Sequence, residues 1–307
     1  MNANPGDNWV SDAQAMADRI RLRGFGYVMR NNGGYLSQIC SSAEIFAFLY
    51  ARAMTLGPSE APMVPPPFTG VPGPDSDYVS GGAYNGPKAP DLDRFIFSPA
   101  HYALVLYVAL IETGRMAPEG LKAFNMDGGT VELIGAEHSP GVETTTGSLA
   151  QALSQAGGIA LGRRLKGETG KTWVMMTDGE FQEGQTWEAV QALSFHKLDS
   201  VRVIVDVNEQ QCDGPMETVM TIEPLAERLR AFGATAHDVD GHDLSAMEAA
   251  MQDSEPGKPL FILARTDPTR GVPLLETRRP ALHYLRFTSD EERARFQAAY
   301  DDMRGEG

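Results

Sequence analysis

The sequence predicts an α/β protein: a doubly wound, mostly parallel sheet with helices on both faces. Three observations carry this. The runs "RFIFS", "KTWVMMT", "VRVIVDV" and "PLFILART" are short and nearly all apolar, as strands buried on both faces are. Helical stretches separate them, the pattern of crossover connections in a parallel sheet. Neither an internal repeat nor a second composition regime divides the 307 residues, so the chain, residues 1–307, reads as one domain.

The elements follow in order. A first helix is expected from about Ser11 to Arg30, where Ser11 and Gln14 make a capping-box pattern and Ala13, Met16, Ala17 and Ile20 recur at helical spacing. "NNGG" stops it. A second helix runs through "SSAEIFAFLYARAM", with Ser41 and Glu44 as its capping pair. Residues 57–92 are rich in Pro and Gly and lack periodicity, which marks either a functional or interface excursion or a loose surface insertion. "RFIFS" then gives a strand, and "AHYALVLYVALIETG" a helix ending at Gly114. "GSLAQALSQAGGIALGRRLKG" is a long helix with small residues on one side, suited to close packing. The strands "KTWVMMT" and "VRVIVDV" flank the helix "QEGQTWEAVQALSFHKL". "PLAERLRAFG", "ATAHDVD", "LSAMEAAMQD" and "PLFILART" give helix, strand, helix, strand. From about residue 266 the tail is expected to be irregular.

Composition narrows the function. Hydrophobic content of 42% and charged content of 22% are ordinary for a globular protein. A net charge of −15 argues against nucleic acid, whose phosphates demand a basic face. It leaves room for an anionic cofactor, because a metal and a few backbone N–H groups hold one diphosphate locally. The two cysteines, Cys40 and Cys212, are far apart and in no metal-ligand spacing, as in a reducing cytoplasm. No run approaches the length of a membrane span, and the amino terminus lacks a signal-peptide core. A cytoplasmic protein with no membrane partner is the expectation.

In a doubly wound sheet, ligands bind at the carboxyl ends of the strands. Asp178 follows "KTWVMMT" directly, and Asn208 follows "VRVIVDV". A right-handed crossover sets those two strand ends side by side. Asp, Asn, a backbone carbonyl and phosphate oxygens make the hard-oxygen set that suits Mg2+ or Ca2+. Gly179 lets the backbone approach a diphosphate, and the helix starting near Gln182 aims its amino terminus there. The alternative is that Asp178 merely caps that helix.

The surrounding motifs bear on this choice. "DGEFQEGQTWEA", followed 30 positions after Asp178 by "NEQQCDGP", resembles the thiamine-diphosphate motif of transketolases. "PGVETTTGSLAQALSQAGGIALGRRL" is similar to the family's Thr-Gly-Ser-Leu-Gly-Gln-Gly-Leu stretch. "FSPAHYALVLYVAL" is similar to its Ser-Lys-Gly-His helix start, and "GHD" at 241–243 has its counterpart. The resemblance runs from about residue 15 to 290. It implies a thiamine-diphosphate-binding fold and the amino-terminal, diphosphate-binding subunit of a split transketolase.

The resemblance also implies roles for single residues. Asp178, the Asn208 side chain and the Gln210 carbonyl would hold the divalent metal, Mg2+ or Ca2+. Gly179 and Glu180 would lie against the diphosphate, and Gly147 and Leu149 would meet the aminopyrimidine from the backbone. His101 would approach the thiazolium and substrate, and His283 the diphosphate and the reacting carbonyl. Glu183 would join a carboxylate network across the subunit interface. From the residues alone, His101 also reads as a helix-start histidine, His283 as a surface one, and Glu183 as an acid favoured in a helix's first turn. The other histidines read as structural.

The implied reaction moves a two-carbon ketol unit from a ketose, or ketose phosphate, to an aldose. The glutamate that activates the cofactor would come from a carboxyl-terminal partner subunit with a pyrimidine-binding domain, in an α2β2 heterotetramer. Several positions depart from the family. Asn31 in "RNNGGYLS" stands where the family has a His, "SPAH" replaces Ser-Lys-Gly-His, "AQA" replaces Gly-Gln-Gly, and Thr177 replaces a Gly. With the 57–92 insertion, they point to a specialised transketolase acting on an unusual ketose or 2-oxo acid. Two other readings are the α subunit of a thiamine diphosphate-dependent 2-oxo-acid dehydrogenase and a non-catalytic interaction subunit. A deoxyxylulose-phosphate synthase fits less well, since that family has its other domains on one chain.

Overall fold

The computed structural model describes residues 8–71 and 77–305. Five parallel strands form the central sheet: β1 (Arg94–Phe97), β2 (Thr172–Thr177), β3 (Val201–Val207), β4 (Thr235–Asp240) and β5 (Leu260–Arg265), in the order β1-β2-β3-β5-β4. Alternate strand residues feed two cores. Phe95, Phe97, Trp173, Met175, Ile204 and Ile262 face one side. Ile96, Val174, Met176, Val203, Val205 and Phe261 face the other. Both faces of each central strand are therefore dry, which is why the runs read as continuously apolar.

Helices cover each face. On the first lie α1 (Trp9–Arg30), α2 (Leu36–Phe48) and α3 (Ala103–Glu112). On the second lie α4 (Gln151–Leu165), α5 (Gly184–Phe195) and α6 (Leu225–Ala231); α7 (Leu244–Gln252) returns to the first. The small residues of α4 do allow close packing, since a Cβ on Gly157 would lie 2.9 Å from Leu193 Cδ2 of α5.

Several expected boundaries move. Ser11 sits inside α1, whose N-cap position is Asn8, and Gln14 instead donates to Asp18 and to Glu44. Helix α2 starts at Leu36, five residues before Ser41, and every one of its residues is buried. Its Ser41 and Glu44 do not cap it, because tertiary partners engage them. The Ser41 hydroxyl donates to Asp206, and Glu44 pairs with Arg21. Helix α4 starts at Gln151 and not at Gly147, because Ala150 adopts a left-handed conformation (φ 70°) that breaks the helix.

The tail is not irregular throughout. After a short helical turn at Pro273–Arg278, Leu285–Arg286 pairs antiparallel with Gly33–Gly34, and α8 (Asp290–Arg304) packs on α1. Its sequence is mostly charged, so the periodic signal is thin. Phe296 is buried against Phe25, and Tyr300 lies edge-on to the same ring. The described part of the 57–92 segment is pinned down. Gly81 N–H donates to the Glu137 carbonyl (2.7 Å) and Gly141 N–H to the Gly81 carbonyl (2.9 Å). Asn85 Nδ2 donates to Gly141, and the buried Tyr84 hydroxyl to Pro62. Residues 72–76 of that segment lie outside the described residues. Among the described residues, no helix is long and apolar enough to cross a membrane.

Candidate active site

The register of β2 and β3 pairs Thr177 with Asp206, so their carboxyl ends lie side by side. Asp178 opens the turn after β2, and Asn208 follows β3. Their neighbourhood is set by one turn, in which Glu209 has a left-handed backbone (φ 59°). Glu209 N–H donates to Asp178 Oδ2 at 2.7 Å, and Gln210 N–H to Asn208 Oδ1 at 2.9 Å. Successive amides of a left-handed residue converge on one concave side, which fits this pair of contacts. Gly179 N–H donates to Asp178 Oδ1 at 2.8 Å. Asp178 is buried, and no side chain is made to cap α5 with it.

A cleft of about 290 Å3 opens above this edge. Its lining brings together His101, His283, Gly147, Leu149, Asp178, Gly179 and Gln210, drawn from five separate stretches of sequence. The two imidazoles lie 5.2 Å apart between ring centroids. Tyr35 packs against both, at 5.3 Å from His101 and 5.6 Å from His283. Gln38 Nε2 donates to the His283 carbonyl (2.9 Å) and lies 3.3 Å from its Nδ1. An amide nitrogen only donates, so this contact makes Nδ1 the acceptor and leaves the ring proton on Nε2.

Burial, and then the neighbouring His283, push the His101 pKa down to about 3; burial also lowers that of His283. Both rings are therefore neutral near pH 7, each carrying one donor and one acceptor. Burial, and then the charge of Asp206, push Asp178 up to about 8. Burial raises Asp206 as well, and no cation is among the groups acting on either carboxyl. Asp206 is held by four neutral donors, whereas Asp178 lines the open cleft with two backbone N–H groups as its donors, a setting that a divalent cation would relieve. Among the described residues, no group of three or more His, Cys, Asp or Glu side chains is arranged to hold a metal. The donor set that fits is mixed: one carboxylate, one amide oxygen and a peptide carbonyl.

Two expected residues sit differently. The Glu180 carboxylate is fully buried and turned away from the cleft. It accepts from the Ser98 hydroxyl, from Ala150 N–H (2.9 Å) and from Thr177 N–H (2.8 Å). It thus clamps the left-handed Ala150 to the end of β2, and only its backbone remains for a ligand. Glu183 is exposed at the N-cap position of α5, outside the cleft. Asn31 is also exposed and does not line the cleft; Tyr35, four residues on, does.

Sequence reasoning missed Tyr35, Gln38, Tyr102 and Asp206. The signal available for Asp206 was an acid inside an otherwise apolar strand, which must be hydrogen-bonded if buried. Nothing in the sequence places Tyr35 or Gln38 beside His283, since their contact depends on the pairing of Gly33–Gly34 with Leu285–Arg286.

Residues 82–291 match the family described as "Transketolase, thiamine diphosphate binding domain". A transketolase family protein of Sinorhizobium fredii is 32% identical over 279 residues, 90% of each chain. The 6-deoxy-6-sulfo-D-fructose transketolase subunit SqwG of a Clostridium species is 28% identical over 299 residues, which span 96% of this chain and 98% of that protein. The transketolase of Campylobacter jejuni superposes with a TM-score of 0.69 at 21% identity, over 97% of this chain but 47% of that one. The match thus spans whole transketolase subunits and about half of a single-chain transketolase. The chain belongs to the transketolase family and carries its thiamine-diphosphate-binding domain.

Proposed function

We propose that the chain is the diphosphate-binding subunit of a two-component, Mg2+-dependent transketolase of the cytoplasm. The observation that carries the reading is the single cleft that gathers His101, His283, Gly147, Leu149, Asp178, Gly179 and Gln210 at the carboxyl edge of β2 and β3. Thiamine diphosphate, when bound, supplies a nucleophilic thiazolium carbon and a sink for the electrons freed as a carbon–carbon bond breaks. Asp178, the Asn208 amide oxygen and the Gln210 carbonyl hold the Mg2+ that neutralises its diphosphate. Gly179 and the backbone of Glu180 lie against that diphosphate, and the backbone of Gly147 and Leu149 against the aminopyrimidine. An added Cβ on Gly147 would meet nothing nearer than Ile134 Cγ2 at 3.9 Å, so the glycine leaves that wall open.

The neutral imidazoles of His101 and His283 exchange protons with the substrate's hydroxyl and carbonyl oxygens. Gln38 keeps the Nε2–H of His283 available for this. A carboxyl-terminal subunit supplies the pyrimidine-binding domain and its activating glutamate, in an α2β2 assembly that the exposed Glu183 joins. The near-complete match to a protein named as a transketolase subunit supports this arrangement. The reaction passes a two-carbon ketol unit from a specialised ketose or 2-oxo-acid donor to an aldose.

The test is reconstitution with a transketolase carboxyl-terminal half, Mg2+ and thiamine diphosphate, reading ketol transfer to an aldose. Activity should need both halves. Full turnover by this chain alone would rule out the two-component reading, and lipoamide-dependent oxidation of a 2-oxo acid would replace it with a dehydrogenase.

A further inference from the structure

Asp206 lies in β3, two residues before Asn208, and is completely buried. Its Oδ2 accepts from the Ser41 hydroxyl (2.6 Å), the Tyr102 hydroxyl (2.9 Å) and Asn208 Nδ2 (3.1 Å), and its Oδ1 from the Thr266 hydroxyl. All four donors are neutral. Asn208 Nδ2 carries two hydrogens, and the second goes to the Tyr102 oxygen at 2.9 Å. Asp206, Tyr102 and Asn208 therefore close a three-membered ring of hydrogen bonds. Both amide hydrogens of Asn208 are used on its inner side. Its Oδ1 is consequently turned to the Glu209–Gln210 turn, where it accepts one N–H and keeps a free lone pair.

We propose that Asp206 is a positioning residue. It holds the Asn208 amide with nitrogen inward and oxygen outward, so that a divalent cation beside Asp178 meets a preset oxygen. A carboxylate does this better than a neutral group, because it only accepts and its charge-assisted bonds are roughly twice as strong. An amide in its place would present an NH2 group that competes with three donors. Tyr102 follows His101 in the chain, so the same ring anchors the turn that carries the catalytic imidazole into the cleft. The proposal rests on the reading of Asp178 and Asn208 as metal ligands, but the amide's orientation is measurable without a metal.

The experiment uses the full chain and three variants, with Mn2+ as the probe and free ion followed by electron paramagnetic resonance. Asp206→Asn should weaken Mn2+ binding about tenfold or more, the usual effect of losing a group that orients a metal ligand. Its metal-free melting temperature should fall, since buried donors lose the oxygen they share. Tyr102→Phe should weaken Mn2+ in the same direction. Ser41→Ala, which removes a donor to Asp206 but touches no part of Asn208, should bind Mn2+ as the parent does. A lowered melting temperature with unchanged Mn2+ affinity in Asp206→Asn would overturn the proposal, as would unchanged affinity in Tyr102→Phe if Asp206→Asn does not fold.

Side-chain amide exchange of Asn208, followed by NMR without metal, separates this from the metal reading. Slow exchange of both amide hydrogens in the parent and faster exchange in Asp206→Asn or Tyr102→Phe supports positioning even if the parent binds no Mn2+. Equal exchange in parent and variants overturns it.

Discussion

His101 shows how one side chain ties the site to pH. Its folded pKa of about 3 lies below the ordinary value of 6.5, so the unfolded chain binds the proton more readily. The stabilising effect of keeping it neutral is complete above pH 6.5 and is lost as pH falls toward 3. The loss is at most about 1.4 kcal/mol per pH unit, and smaller here because the ring opens onto the cleft. His101→Gln should therefore lose less stability than the parent between pH 7 and pH 4.5. Parallel melting curves across that range would contradict the burial argument.

Glu44 acts in the same direction for a different reason. Burial alone would raise its pKa, but hydrogen bonds from His242 and Arg21 more than offset this and hold it at about 2. Its contribution is present above pH 4.5 and lost as pH falls toward 2. Arg21 is buried too, and Glu44→Ala leaves it only the exposed Asp18 as a counter-charge, so the variant should cost about 3 kcal/mol in denaturant unfolding. At this scale the candidate ligands Asp178 and Asn208 were legible because they follow strands. The buried partners Asp206, Tyr102 and Arg21 were not, because a polar residue inside an apolar run carries no label for its partner.

Among the elements, strands were read best and helix ends worst. Each buried strand announces itself through unbroken hydrophobicity, whereas α2 offers no amphipathic stripe because all its sides are covered. Helix α8 was missed although its ends are marked. The Ser289 hydroxyl caps Glu292 N–H at 3.2 Å, and Gly305 is left-handed (φ 75°) just past its end. Phe296→Ala should cost about 3–5 kcal/mol, the usual range for a buried aromatic. Gly26→Ala should push the Tyr300 ring end aside and loosen the same helix less than Phe296→Ala does, since the new Cβ would lie 2.8 Å from Tyr300 Cζ. Limited proteolysis near residue 288 would read both; resistance equal to the parent's would argue that α8 is dispensable. The 57–92 segment is anchored as tightly at Gly81, where an added Cβ would fall 2.6 Å from the Val142 carbonyl oxygen.

At the scale of the whole molecule, the two cores share one sheet, and neither can lose its helices without wetting strands that the other face needs. Unfolding should be a single transition. Trp9 reports the first face, beside Phe48, and Trp187 the second, between Phe181 and Phe232. Variants retaining only one of these tryptophans should give coincident fluorescence midpoints in urea. Separate midpoints would divide the chain into two cooperative units. The α/β class was legible at this scale because strand–helix alternation needs no long-range information. The cleft was legible only where a motif fell on a strand end, since its remaining wall depends on which distant segments meet.

The pairing of Gly33–Gly34 with Leu285–Arg286 has a consequence for synthesis on the ribosome. Tyr35 and Gln38 are made early, but the His283 they hold emerges some 245 residues later. Helices α1 and α2 must wait, with apolar surface uncovered, for a strand partner that lies some 250 residues further along the chain. A chain stalled before Leu285 has every residue of the Asp178–Asn208 turn and still cannot shut that side of the cleft. Such fragments should stay sensitive to protease and be retained by chaperones, so that only polypeptides carried past this point acquire a finished binding site.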